Sequence, residues 1–123
     1  MPTKSDIIRL RHMLEAADKA KAFTDGKARQ DLDREEKLAL ALVRLIEIIG
    51  EAAAKVSAEV QVRYTNIPWK EIVGTRNRLI HGYEDVDYDI VWSIVVEDLS
   101  DLSRELRTAL LKETGTDQET LWK

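Results

Sequence analysis

Apolar side chains recur along this chain at intervals of three and four residues, the period of a helix face and not the alternation of a strand. Ile7, Leu10, Leu14 and Ala17 make the first such stripe, which predicts a helix from about Lys4 to Ala22 with Thr3 or Ser5 as its N-cap. Gly26, in the segment FTDGKARQD, supplies the break after it. Leu38, Leu42, Leu45, Ile49, Ala52 and Val56 form the longest stripe, predicting a second helix that reaches Ser57 or a little further. Asp33 and Glu36 at its start have capping-box spacing. Pro68 suits the first turn of a third helix carrying Trp69, Ile72, Val73, Leu79 and Ile80, which is expected to loosen near Gly82. Asp87 can cap a fourth helix, lined by Ile90, Ile94, Leu102 and Leu106 and running to about Lys112. The closing TGTDQETLWK is expected to form a short helix or to fray. The pattern predicts an all-α, antiparallel bundle of four to five helices. It fits one domain over residues 1–123, with a core at about 4–112 and a tail at 113–123.

Composition agrees with this picture. The chain is 44% hydrophobic and holds only 5 glycines and 2 prolines, which favours long helices over many turns. Gly50, Ala52, Ala53 and Ala54 would let a neighbouring helix approach closely, either inside the bundle or across a dimer seam. There is no cysteine, which excludes disulfides and thiolate metal sites. The 2 histidines, His12 and His81, are too few for a closed zinc site, so no metal or cofactor is expected. The N-terminal MPTKSDIIRLRH lacks the apolar core of a signal peptide, and no run approaches a membrane span, so a cytoplasmic location is expected.

Charge narrows the search. The net charge of −4 argues against non-specific binding of nucleic acid. Its distribution is uneven: residues 1–62 balance, residues 63–83 carry +3 and residues 84–123 carry −7. The basic window, with Arg63, Lys70, Arg76 and Arg78, can gather phosphates at close range.

Within that window lies RNRLIHGY, residues 76–83. Histidine titrates near neutrality and can pass a proton at cell pH. Arginine stays charged and holds phosphate oxygens in a fork. Asparagine can orient an imidazole or a ribose hydroxyl. These are the parts needed to cleave RNA through its own 2′-hydroxyl without a metal. His81 and Arg76 are the candidate catalytic pair, Asn77 supports them, and Arg78 and Lys70 are candidate RNA contacts. On a regular helix Asn77 and His81 share a face, whereas Arg76 and His81 are separated by about 140°. The latter two converge only if the helix opens near Gly82 or if long side chains wrap toward a common cleft. One chain offers only one suitable histidine, so a two-fold dimer sharing the site is expected to supply both base and acid. The plainer alternatives are a histidine that caps or packs, an Arg78 paired with an acid such as Glu84, and aromatics at Trp69 and Tyr83 that belong to the core or an interface.

Arg76-Asn77-Arg78-Leu79-Ile80-His81 resembles the Arg-x4-His signature of HEPN ribonucleases, and Gly82-Tyr83 extends it to the form of HepT-like toxins. The blocks Ile46–Ala53 and Ile67–Gly74, and Asp85-Val86-Asp87, are similar to that family too, so the resemblance covers about residues 4–112. It implies a dimeric HEPN bundle with Arg76 and His81 catalytic. It also implies a toxin–antitoxin system whose partner is a minimal nucleotidyltransferase of the MntA kind, which silences the toxin by AMPylation of Tyr83. Added nucleotide would put bulk and negative charge beside His81, blocking RNA. The sequence departs from the family where an aromatic often follows the tyrosine; Glu84 stands there. A non-enzymatic HEPN module, binding nucleotides or serving a nucleotidyltransferase as accessory subunit, is the alternative.

Overall fold

The computed structural model describes residues 3–82 and 85–115; for Arg76 and residues 80–82 it describes the backbone alone. The first helix, α1, spans Lys4–Phe23. Thr3 caps it: its hydroxyl accepts from the Asp6 amide at 3.0 Å, and the Asp6 carboxylate accepts from the Thr3 amide at 3.2 Å. A threonine hydroxyl and a carboxylate three residues apart thus occupy donors that the helix itself leaves empty. Gly26 takes a left-handed φ of +74° just beyond the helix, as the break expected there requires.

A short helix, α2, covers Asp31–Arg34, and α3 covers Glu36–Lys55. The expected capping box of Asp33 and Glu36 does not form, because Asp33 lies inside α2 and its carboxylate pairs with Arg29 at 3.2 Å. The second stripe also ends sooner than its spacing predicts. Val56 turns extended, and Ser57 caps a separate helix, α4, at Ala58–Arg63. Next, α5 spans Trp69–Leu79; the Trp69 indole donates to the Tyr64 carbonyl at 3.0 Å and fixes its start.

Two short antiparallel strands follow, β1 at Ile80–Gly82 and β2 at Asp85–Val86. Helix α6 (Tyr88–Ser93), a π-helical turn (Ile94–Asp98) and α7 (Leu99–Thr114) then run on without interruption. They form the expected fourth helix, which passes Lys112 and is closed at Gly115 by a left-handed φ of +71°. The short helix or frayed end expected beyond it, at residues 116–123, falls outside the described residues.

Among the described residues the fold is all-α apart from that hairpin. Helix α1 packs against both α3 and α7, and α3 packs in turn against α5. The core at these contacts includes Leu10, Met13, Leu42, Ile49, Leu106 and Leu110. Gly50 faces α5 closely: a Cβ placed there would sit 3.2 Å from the Ile72 carbonyl oxygen. At least this member of the small-residue run therefore serves packing inside the bundle. Helix α5 meets the fourth helix at α6, whereas α5 and α7 do not pack closely on one another, which leaves a seam between those two. No described helix is long and apolar enough to cross a membrane.

Candidate functional site

The octapeptide RNRLIHGY straddles a change of backbone. Arg76, Asn77 and Arg78 lie in the last turn of α5, and His81 lies on β1. Where the spacing predicts a helix that loosens near Gly82, α5 ends at Leu79. The reason is local bonding. The Asp87 amide donates to the Leu79 carbonyl at 2.7 Å, and Ile80 pairs with Val86 across the hairpin. Those partners take over backbone groups that another helical turn would have used. Asp87 then starts α6, accepting from the amides of Asp89 at 3.0 Å and Ile90 at 3.2 Å.

His81 therefore does not share a helical face with Asn77, and helical azimuths do not govern its relation to Arg76. The junction brings the two backbone segments together at one end of α5. The side chains of Arg76 and His81 are not described, and Tyr83 and Glu84 lie outside the described residues. Asn77 and Lys70 are exposed, seven residues apart on the outer face of α5, with Val73 between them at 44% exposure. Arg78 is exposed as well but turns elsewhere, lining a cavity in the open seam. His12 is exposed on α1.

That cavity measures about 480 Å³. Its apolar wall includes Ile46 and Ile49 of α3, Ile72 of α5, and Leu99 and Leu102 of α7. Carboxylates surround it: Glu71 on α5, Asp98 at the π-helical turn, Asp101 and Glu105 on α7. Arg78 is the one cation among the described residues that line it. Asp98 is held above the ordinary carboxylate range, chiefly by burial and further by Glu97 and Asp101, with the Arg78 charge opposing. Asp101 pairs with Arg104 at 3.1 Å. The spacing of apolar residues gives no sign of this cavity. The −7 balance of residues 84–123 is its only trace in the sequence, and nothing in a charge count says which acids share a seam with α5.

Two further polar clusters brace the bundle away from both places. Asp6, only 3% exposed, also accepts from the Ser57 amide at 2.8 Å and the Ser57 hydroxyl at 3.0 Å. Burial alone would raise its pKa, but the hydrogen bonds from Ser57 and Thr3 outweigh it and the net shift is downward. At the other cluster Glu113 of α7 accepts from the Tyr64 hydroxyl and pairs with Arg63. Burial, and then the Glu113 carboxylate, push the Tyr64 phenol up to about 12.

Comparison with known proteins gives a consistent result. The family model described as "Ribonuclease HepT-like" matches residues 13–109. A protein named "Putative RNase" from Caldanaerobacter subterraneus is 34% identical over 104 residues, 85% of this chain and 93% of its own length. Another "Putative RNase", from Methanocaldococcus jannaschii, is 31% identical over 121 residues, covering 98% of this chain and 100% of that one. A "Probable ribonuclease HepT" from Thermococcus cleftensis is 33% identical over 93 residues, 76% of this chain and 84% of its own. No solved structure gives a significant match.

Proposed function

The chain belongs to the HepT-like ribonuclease family, and from that premise we propose that it is a metal-independent endoribonuclease, the toxin of a toxin–antitoxin pair. The observation that carries the reading is the junction itself. One short segment sets Arg76 and Asn77 at the end of α5 and His81 on the strand directly after it. The ribonuclease names of full-length relatives support the substrate class.

The chemistry assigned to these residues is transesterification. His81 takes the proton of the ribose 2′-hydroxyl, and that oxygen attacks the adjacent phosphorus. The bond from phosphorus to the 5′-oxygen breaks, leaving a 2′,3′-cyclic phosphate. The departing oxygen receives a proton from a second imidazole, the His81 of the other protomer in a two-fold dimer. Arg76 holds the phosphate oxygens as charge builds there. Asn77 orients imidazole or ribose. Lys70 contacts the RNA backbone, whereas the Arg78 side chain lines the seam cavity. No cofactor takes part.

Tyr83, two positions after His81, is the proposed site of AMPylation by a nucleotidyltransferase antitoxin of the MntA kind. Its adenylates would fill the cleft and repel RNA phosphates.

The test is expression in cells beside a mixing experiment. Wild-type chain is expected to arrest growth, and His81→Ala and Arg76→Ala to be harmless at equal abundance. Protomers of the two variants, mixed and exchanged, regain part of the RNA cleavage if the site is composite. Equal growth arrest by wild type and His81→Ala would reject the reading. With the nucleotidyltransferase and ATP, the intact mass of wild type rises by adenylate units, and Tyr83→Phe does not change.

A further inference from the structure

We propose that the open seam between α5 and α7 is a docking groove for a partner protein presenting a basic amphipathic helix. This inference does not depend on whether the chain cleaves RNA.

Helix α1 contacts α3 and α7, α3 contacts α5, and α5 meets the fourth helix at its α6 end but does not pack closely on α7, which leaves a gap between α5 and α7. The cavity of about 480 Å³ lies in that gap. Its walls follow helical spacing. Glu71, Thr75 and Arg78 line it at steps of four and three along α5. Ile94, Asp98, Asp101 and Glu105 line it on the opposite side at steps of four, three and four. Eleven residues at helical rise are about 16 Å, the length of three turns, so a helix laid along the seam fits its extent.

The apolar wall from α3 and α7 would receive a stripe of Leu or Ile side chains. The rim selects the charge. Among the described residues Glu71 and Glu105 have no ion-pair partner, and Arg78 is the one cation in the lining. Asp98, whose carboxyl pKa is raised by partial desolvation, is favoured in its ionised form by a cation placed beside it. The same rim repels RNA. It also disfavours a second copy of this chain docking here isologously, since two-fold symmetry would bring acidic rim against acidic rim. A helix with an apolar stripe flanked by lysine and arginine matches both surfaces.

The experiment uses the full chain and a fluorescent designed peptide of about 14 residues, with leucines at helical spacing and flanking lysines. Fluorescence anisotropy reads binding. The wild type is expected to bind this peptide, to release it as salt rises, and to ignore a version with glutamates in place of the lysines. Glu71→Lys/Glu105→Lys is expected to weaken binding roughly tenfold. Glu71→Gln/Glu105→Gln, which carries less risk to folding, is expected to show a smaller loss. The proposal is overturned if both peptides bind alike, or if neither double variant differs from wild type. It is overturned equally if sedimentation shows a dimer that dissociates on Glu71→Gln/Glu105→Gln, since the groove would then hold another copy.

Discussion

Ser103 is the residue whose environment is least satisfied. It is 2% exposed on α7, and its hydroxyl has no hydrogen-bond partner among the described residues. A buried hydroxyl without a partner loses its hydration for nothing, and alanine is the better helix former. Ser103→Ala is expected to stabilise the protein by about 1 kcal/mol, measured as a higher urea midpoint at unchanged slope. Gly50 is the opposite case, a residue where even a single added carbon would be tight. Its Cβ would press on the Ile72 carbonyl, and a branched side chain would press harder. Gly50→Val is expected to cost about 1–3 kcal/mol and to push α5 away from α3. Thermal unfolding reads the first effect, and chemical-shift changes along residues 69–79 read the second. The sequence shows a run of small residues there but not its neighbour, since the partner helix is not encoded in the spacing of one stripe.

At the scale of elements, the periodic helices are legible in the sequence and the punctuation less so. The stripe of Leu10, Leu14 and Ala17 is buried as its spacing requires, and Asp87 caps α6 as its position suggests. Asp33 misleads because it matches a cap by spacing alone, while the chain has already begun α2 at Asp31. The end of α5 misleads for a related reason. What stops that helix is an amide eight residues downstream and a two-strand pairing, neither of which the helical spacing of apolar residues registers. Asp6 shows how strongly such long-range bonds bind elements together, joining the start of α1 to the start of α4 through Ser57. Because its folded pKa is depressed, its stabilising effect is present above the unfolded carboxylate pKa of about 4 and fades as pH falls through the lower folded value. Asp6→Asn is expected to destabilise by about 1–3 kcal/mol at neutral pH, with the gap from wild type narrowing below about pH 4. Denaturation series at several pH values would show it; a gap constant across that range would contradict the assignment.

For the molecule as a whole, two different surfaces have separate origins in the sequence. The junction of α5 and β1 arises from one contiguous octapeptide, so its residues stand side by side in the sequence and can be picked out there. The acidic groove gathers α3, α5 and α7 from three distant stretches, so only the folded bundle reveals it. Arg78 belongs to both: its backbone is in the octapeptide and its side chain lines the groove. A partner lying in the seam would thus touch the helix that carries Arg76 and Asn77.

The most direct measurement is the rate at which purified, unmodified protein cleaves a fluorogenic RNA in the presence of a metal chelator. Wild type is expected to yield a 2′,3′-cyclic phosphate end. His81→Ala, with an unchanged circular-dichroism spectrum, is expected to cut at least about 100-fold more slowly. Cleavage by folded His81→Ala at the wild-type rate, or loss of all wild-type cleavage on chelation, would contradict catalysis by this junction.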